Sequence, residues 1–337
     1  MSAAKSAQVI KDAANTHWVY RAPSRMRPYL QLARLDRPIG YWLLALPGWI
    51  GLAFAGLGYN FHLIDIKWAV LILIGAIAMR GAGCTYNDIV DQDLDKQVER
   101  TALRPLPAGT ISTQQAWLWL AAQCTVGLIV LLCLPRLAQI ISLCSIPLVA
   151  AYPFMKRITW WPQLWLGMTF NWAVLVAFAA KTGTMNLPLI ILYLGLIFWT
   201  VGYDTIYACQ DIEDDAMIGV KSTARRFGSR VKLGVGVCYT LFTICVFIAA
   251  HLYSYEFIES GSEWFALHPY QFIIILMPFA LHLIWQVKTF DKTDTKLPLI
   301  IFKSNALTAI LLIISFVVLS AIFHTTIISD FIEPILN

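Results

Sequence analysis

Long apolar stretches run through most of this 337-residue chain and restrict it to one class of fold. Only 13% of the residues are charged, which is about half of the ~25% usual in soluble domains. A helix needs about 20 mainly apolar residues to cross a bilayer, so stretches of this length predict membrane-spanning helices. We therefore expect an all-α, polytopic membrane protein with nine transmembrane helices. The nine predicted spans are 40–59, 66–86, 113–134, 138–154, 161–180, 187–208, 231–252, 269–287 and 299–323.

The basic residues alternate between loops, as expected for a chain that crosses the membrane repeatedly. Residues 1–37 and the loops joining spans 2–3, 4–5, 6–7 and 8–9 hold 20 of the 25 Lys and Arg residues. The opposite loops hold only Lys67, Arg136 and Lys181. Basic loops stay on the cytoplasmic side, which predicts a cytoplasmic or matrix-side N-terminus. The expected regions are a basic N-terminal segment (1–37), a nine-helix membrane domain (38–323) and a short C-terminal tail (324–337).

Two acidic clusters interrupt the apolar pattern, each at the end of a predicted span. The first is Asn87-Asp88-Ile89-Val90-Asp91-Gln92-Asp93-Leu94-Asp95, and the second is Asp211-Ile212-Glu213-Asp214-Asp215. Each holds carboxylates at positions i and i+4, which lie on one face of a helix. The two pairs are separated by 120 positions, and a basic, hydroxyl-containing stretch follows each cluster. This weak internal repeat predicts two related halves, with the clusters facing each other across a central cavity.

These carboxylates indicate a metal and diphosphate site. Asp91, Asp95, Asp211 and Asp215 would repel one another without cations, and Mg²⁺ with a few waters suits a bound diphosphate. Asn87 lies one turn before Asp91 and offers a neutral oxygen ligand. The basic residues nearby in sequence are suited to phosphate contacts; they are Arg80, Arg100, Arg104, Lys156, Arg157 and Lys221. Either cluster alone is typical of a solvated loop, whereas the matched pair favours a site that ionises an allylic diphosphate.

The same motifs resemble those of the UbiA-type intramembrane aromatic prenyltransferases. The resemblance covers residues 35–228 and rests on several separate stretches. They are Leu35-Asp36-Arg37-Pro38-Ile39-Gly40, Met79-Arg80-Gly81-Ala82-Gly83-Cys84, the first acidic cluster with Arg100-Thr101 and Arg104-Pro105-Leu106-Pro107, Tyr152-Pro153-Phe154-Met155-Lys156-Arg157, Tyr203-Asp204-Thr205, and the second acidic cluster with Lys221-Ser222-Thr223-Ala224 and Phe227-Gly228.

The resemblance implies a nine-helix bundle with a central cavity, a reaction and a set of site residues. Within the family, the motifs are most similar to members that act on 4-hydroxybenzoate in ubiquinone synthesis. A polyprenyl group would pass from polyprenyl diphosphate to the ring carbon ortho to the hydroxyl, in a Mg²⁺-dependent reaction that releases diphosphate. The implied metal ligands are Asn87, Asp91, Asp95, Asp211 and Asp215, the implied catalytic residues are the same four aspartates with Arg157, and the implied substrate-binding residues are Arg80, Asp88, Lys156, Asp204, Tyr207 and Lys221. Asp88 and Asp214 are second choices for binding the metal or orienting the acceptor.

Two other functions fit the sequence. The same chemistry on another aromatic acceptor is one, and a cation-coupled membrane transporter that uses the acidic pairs is the other. The expected partners are the two substrates and the lipid bilayer, with no nucleic acid and no obligate protein partner. The first 37 residues lack an apolar signal-peptide core, so we expect no secretory signal peptide. They also lack a long Arg- and Ser-rich presequence, which favours a bacterial inner membrane, with a mitochondrial inner membrane as the alternative.

Overall fold

The computed structural model describes residues 17–96, 99–217, 219–258, 269–292, 294 and 296–336. Within these ranges the chain forms helices and turns and no strand, so the predicted all-α class is confirmed. The helices are α1 Trp18–Arg21, α2 Arg27–Leu32, α3 Ile39–Ala55, α4 Leu63–Val90, α5 Gln92–Asp95, α6 Glu99–Ala102, α7 Thr113–Leu132, α8 Arg136–Cys144, α9 Ile146–Ile158, α10 Pro162–Phe170, α11 Trp172–Thr182, α12 Leu187–Ala208, α13 Ile212–Met217, α14 Thr223–Phe227, α15 Val231–Ile258, α16 Pro269–Thr289 and α17 Leu297–Leu336, with short 3-10 turns at Cys209–Asp211 and Gly228–Arg230.

Seven helical stretches of the described chain are long and apolar enough to cross a membrane. They correspond to the third to ninth predicted spans, and α8–α9 and α10–α11 each act as one stretch. The first predicted span falls on α3, which has 17 residues, and the second falls within the 28-residue α4. A total of nine spans therefore stays a prediction. The last helix continues to Leu336, so the backbone of the segment expected to be a tail is helical.

The surface of these helices is apolar, as expected for a protein surrounded by lipid. On α7, which is apolar enough to cross a membrane, Leu118 and Leu132 are 72% and 66% exposed. Large leucines left open to water would be unfavourable, because each loses roughly 1.5–3 kcal/mol of burial free energy. These outward-facing side chains support contact with the bilayer interior.

The chain divides into two units. The first comprises the described residues up to Trp42 together with Leu73–Cys133, and it contains the first acidic cluster. Its small core consists of Leu32, Leu106, Ile111 and Ala116. The N-terminus of α7 is closed by a capping box, in which the Ser112 side chain and its own backbone N–H pair with Gln115. This core holds the loop after α6 close to α2.

The second unit comprises Leu43–Ile72 and the chain from Leu134 onward, and α12 and α15 pack closely at its centre. Glycines on α12 make this approach possible. A Cβ added at Gly202 would lie 2.3 Å from the Tyr239 ring, and one added at Gly195 would lie 2.7 Å from the Cys245 Cβ. Small residues at helix contacts are typical of membrane bundles, where close backbone packing replaces the hydrophobic effect.

Buried polar side chains join the helices of the second unit. Asn171 directly follows α10. Its side-chain amide donates to the carbonyl oxygens of Gly167 and Leu196 and to the Thr200 hydroxyl. The Trp199 indole donates to Asn305 at 2.8 Å, and the Tyr239 hydroxyl donates to Gln286 at 2.6 Å. Paired polar groups of this kind fix the register of neighbouring helices in an apolar surrounding.

A buried ion pair joins the start of α4 to the end of α11 in the same unit. The Lys181 ammonium lies 2.6 Å from the Asp65 carboxylate, and their side chains are only 4% and 11% exposed. Asp65 also accepts from the His62 backbone N–H, and Lys181 lies over the Phe61 ring. Removing one member leaves the other buried and unpaired, which costs about 3–5 kcal/mol.

We expect Lys181→Met to lower the melting temperature of the purified protein markedly. Lys67→Met, which removes an exposed lysine of α4, is the matched control and should leave it nearly unchanged. A double Lys181→Met, Asp65→Leu variant should recover much of the loss, because no unpaired charge remains. Differential scanning fluorimetry in detergent measures all three, and equal melting temperatures for the two lysine variants would contradict the assignment.

Candidate active site

The first acidic cluster continues the helical geometry of α4 beyond its last residue. The Asp91 N–H donates to the Asn87 carbonyl at 2.9 Å, and the Asp95 N–H donates to the Asp91 carbonyl at 2.8 Å. Both hydrogen bonds have the i to i+4 spacing of an α-helix. Asn87, Asp91 and Asp95 therefore follow one another along a single helical face.

The aspartates of this cluster differ in how far they are buried. Asp88 and Asp91 are 1% exposed and Asp95 is 8% exposed. Asp93 lies on the other face, where its side chain is 94% exposed and pairs with Lys96 at 3.2 Å. A carboxylate is rarely buried unless a cation or hydrogen-bond donors compensate it. The buried face is thus the one that needs positive charge.

Two arginines supply part of that charge. One amino group of Arg34 lies 2.7 and 2.8 Å from the two carboxylate oxygens of Asp88. Arg104 Nη1 lies 3.5 Å from Asp88 and 2.7 Å from Asp95. The chain Arg34–Asp88–Arg104–Asp95 brings together four segments of the first unit: the turn after α2, helix α4, the loop after α6, and α5.

The loop that carries Arg104 is also tied to the cluster directly. The buried Thr101 hydroxyl donates to the Asp95 carbonyl at 2.8 Å. The pKa of the Asp95 carboxyl is raised, chiefly because burial disfavours its charged form; the adjacent Arg104 opposes this shift and Asp88 adds to it. Arg104 therefore favours the ionised carboxylate at a buried position, which a cation ligand requires.

Arg34 is the site residue that the sequence analysis missed, and Arg104 was predicted there to contact phosphate rather than to pair with Asp88 and Asp95. Arg34 has φ +56°, a left-handed conformation that costs a residue with a side chain roughly 1–2 kcal/mol. Arg104 lies inside one of the family-like stretches, and Arg34 directly precedes another, so their positions carried a signal. Charge alone did not separate them from the many basic loop residues that determine membrane orientation.

Arg80 lies on α4 within the same unit as the first cluster. Its Nη1 is 2.7 Å from the Cys84 sulfur, and its Nε lies beside the backbone of Gly40. A Cβ at Gly40 would come within 2.9 Å of that Nε, which explains why this stretch needs a glycine. The side chain is partly exposed, as a substrate contact requires.

The predicted diphosphate-binding residues come together in the second unit. The Lys221 N–H donates to the Lys156 carbonyl at 3.0 Å, and the Lys221 ammonium donates to the Ile158 carbonyl at 3.1 Å. Lys156 and Arg157 form the last turn of α9, where Arg157 is exposed. Three cationic residues therefore lie at one helix end.

The residues after Lys221 anchor this loop. The Ser222 hydroxyl caps α14 by accepting from the Arg225 N–H. The Thr223 N–H donates to the Gln163 side chain at 3.0 Å, and its hydroxyl is hydrogen-bonded to Thr205 of α12. Ser222 and Thr223 are buried, so their role is to hold the loop while Lys221 stays partly exposed.

Asp204 and Tyr207 are partly buried near the end of α12, in the same unit. The Tyr207 ring lies 4.5 Å from the Phe302 ring of α17. Beyond them, the backbone of the second acidic cluster is helical through Cys209–Asp211 and α13. The side chains of Asp211, Asp214 and Asp215 lie outside the described part of the structure, so their predicted roles stay predictions.

The described donors of the first cluster fit a hard divalent cation. Asn87 and Asp91 offer amide and carboxylate oxygens on one face, and Mg²⁺ prefers such ligands together with water and phosphate oxygens. Among the described side chains, no group of three or more His, Cys, Asp or Glu residues is placed to hold a metal. A complete site thus needs ligands from beyond the first cluster.

Comparisons with known proteins identify relatives of this chain. The sequence profile of the "UbiA prenyltransferase family" matches residues 44–307. The chain is 50% identical over 214 residues to "4-hydroxybenzoate polyprenyltransferase, mitochondrial" of Homo sapiens, which covers 63% of this chain and 57% of that protein. It is 44% identical over 227 residues to the protein of that name from Arabidopsis thaliana, covering 67% and 54%. The match thus spans somewhat more than half the length of these relatives.

Solved structures show the same fold. A UbiA homolog from Aeropyrum pernix K1, solved without ligand, superposes with a TM-score of 0.64 at 24% identity, covering 83% of this chain and 98% of that one. A UbiA homolog from Archaeoglobus fulgidus, bound to GPP and Mg²⁺, superposes with a TM-score of 0.63 at 19% identity, covering 87% and 99%.

Proposed function

This chain belongs to the UbiA prenyltransferase family, and from that premise we propose that it prenylates 4-hydroxybenzoate. It would transfer a polyprenyl group from polyprenyl diphosphate to the ring carbon ortho to the hydroxyl, as a step of ubiquinone synthesis. The main observation behind the proposal is the buried set of carboxylates in the first acidic cluster, where Arg34 pairs with Asp88 and Arg104 with Asp95. The acceptor follows from relatives that are named for this reaction and share about half of the aligned residues.

We propose that Mg²⁺ is held by Asn87, Asp91 and Asp95, completed by Asp211 and Asp215. The oxygen ligands of the first cluster support this, and a related structure contains Mg²⁺ with GPP. Bound there, the ion would neutralise the negative charge that develops on the leaving diphosphate. Asp88 is less suited as a ligand, since Arg34 and Arg104 already engage its carboxylate.

The cationic end of α9 would bind the diphosphate of the donor. Arg157 suits paired contacts with phosphate oxygens, while Lys156 and Lys221 add point charges. Holding the diphosphate at a fixed place orients the bond that must break. Arg80, Asp204 and Tyr207 would line the polar region near donor or acceptor.

The bond changes then balance as follows. The C–O bond between prenyl carbon and diphosphate breaks, and its electron pair leaves with the diphosphate. The electron-rich ring carbon ortho to the acceptor hydroxyl forms the new C–C bond to the allylic cation. The ring proton passes to a carboxylate or to released diphosphate, which restores aromaticity. Apolar walls around the tail would keep water from the cation.

We place the active protein in a membrane, because both donor and product have long apolar tails. The proposed regions are the basic segment 1–37, the membrane domain 38–323 and the end 324–337. The mitochondrial names of the relatives favour a mitochondrial inner membrane over a bacterial one. The charge distribution supports an N-terminus on the matrix or cytoplasmic side.

A purified-protein assay tests this function. The protein is incubated with polyprenyl diphosphate, 4-hydroxybenzoate and Mg²⁺, with and without EDTA, and products are separated by chromatography. Prenylated 4-hydroxybenzoate that disappears with EDTA is the expected result. Product with another aromatic acceptor alone would favour the first alternative, and cation flux without diphosphate release would favour a transporter.

Arg157→Ala should raise the donor KM roughly 10- to 100-fold, since a charge-assisted contact contributes about 1.5–3 kcal/mol. The acceptor KM should change little, because the removed contact is to the diphosphate. The matched control is Arg226→Ala, which removes another exposed arginine of the second unit. Steady-state kinetics with each substrate varied in turn separates the two effects, and an unchanged donor KM in Arg157→Ala would remove this residue from the site.

A further inference from the structure

A basic pocket lies between the first turn of α15 and the last turn of α16, both in the second unit. Its volume is about 390 Å³, and its polar lining comprises Ser229, Lys232, Lys288, Thr289, Asp291 and Lys292. Three ammonium groups against one carboxylate give this lining an excess of positive charge. None of these residues has a role in the proposed reaction.

The geometry of Lys232 shows how the pocket is built. Its ammonium donates to the carbonyl oxygens of Lys288 at 3.0 Å and Phe290 at 3.4 Å. The Lys288 carbonyl lies in the last turn of α16 and the Phe290 carbonyl directly after the helix, so Lys232 caps this helix end and offsets the negative end of the helix dipole. Lys288 and Lys292 are exposed, and their ammonium groups stay available to an anion.

The surface beside the pocket is strongly apolar. On α15, Leu233 and Val237 are 65% and 51% exposed, and on α16, Leu281 and Ile284 are 54% and 49% exposed. Trp285, a residue type enriched at membrane interfaces, is 43% exposed nearby on α16. A molecule with an anionic head and apolar chains would contact both the basic pocket and the apolar helix surface, whereas a soluble anion would contact the pocket alone.

We propose that this pocket binds the headgroup of an anionic phospholipid, with its acyl chains along α15 and α16. Basic pockets between membrane helices are suited to such headgroups, and the hydroxyls of Ser229 and Thr289 offer donors to a phosphate. The positive-inside tendency accounts for lysines on this side of the membrane. It does not account for their convergence with two hydroxyls around one pocket.

Native mass spectrometry of the delipidated full chain tests the proposal without using catalysis. Phosphatidylglycerol and phosphatidylcholine are titrated separately, and the retained lipid is counted. The wild type should prefer phosphatidylglycerol, and Lys288→Gln with Lys292→Gln should weaken its binding roughly 10- to 30-fold. Lys232 is left intact because it caps α16.

Lys303→Gln, which removes an exposed lysine of α17 outside the pocket, is the matched control and should behave as wild type. Equal affinity of the double variant and this control would overturn the proposal. Displacement by inorganic diphosphate, with no preference between the two lipids, would also overturn it and show a site for soluble anions. Melting temperatures of both variants confirm that each is folded.

Discussion

Asp91→Asn should lower kcat by roughly 10³-fold while leaving the protein folded. Asp91 is 1% exposed on the buried carboxylate face, and the substitution keeps its size while removing its charge. Loss of one group that stabilises transition-state charge commonly costs 10²–10³ in kcat, and loss of a metal ligand adds weaker metal binding. The measurement is turnover of prenylated product across a Mg²⁺ titration, beside the melting temperature of each variant.

Asp93→Asn is the matched control for this experiment. It makes the same chemical change two residues away, on a side chain that is 94% exposed and lies 3.2 Å from the Lys96 ammonium. We expect wild-type turnover and the wild-type Mg²⁺ requirement. Similar losses in both variants would indicate that the cluster's overall charge matters, and wild-type turnover in Asp91→Asn would remove Asp91 from the site.

Arg34→Ala should destabilise the protein by about 3–5 kcal/mol, because Asp88 is left buried with only the longer 3.5 Å contact to Arg104. Arg34→Gly loses the same ion pair but removes the strain of φ +56°, so it should be roughly 1 kcal/mol more stable than Arg34→Ala. Both variants should also lose turnover, since Arg104 would be drawn from Asp95 toward Asp88.

Chemical or thermal unfolding in detergent measures these differences. Arg25→Ala removes an exposed arginine of the same unit and should leave stability nearly unchanged. The double variant Arg34→Ala, Asp88→Asn should lose less than the sum of the single changes, because both singles break one pair. Equal stability of Arg34→Ala and Arg25→Ala would show that the ion pair contributes little.

The predictions for Asp91 and Arg34 distinguish a catalytic role from a structural one. Asp91 acts on the reacting groups in the proposed mechanism, so its loss should leave melting nearly unchanged. Arg34 acts through Asp88, so its loss should mainly lower the melting temperature. If the Asp91 variant lost melting temperature and the Arg34 variants lost only turnover, these two roles would be exchanged.

Much of this protein is determined by short-range patterns in the sequence. Hydropathy over about 20 residues predicts the all-α membrane class, because an unpaired backbone is excluded from lipid. The i to i+4 spacing places Asn87, Asp91 and Asp95 on one face and excludes Asp93, as the backbone hydrogen bonds and burial agree. The family-like motifs follow from residue order alone.

Pairing between distant charges was decided only by tertiary structure. Arg34 and Asp88 are 54 positions apart, and Lys181 and Asp65 are 116 apart. In the sequence these residues look like the other basic and acidic residues near span ends, whose charges also set membrane orientation. Folding selects partners by burial, since a charge removed from water must be compensated by whichever opposite charge the packed helices bring within reach.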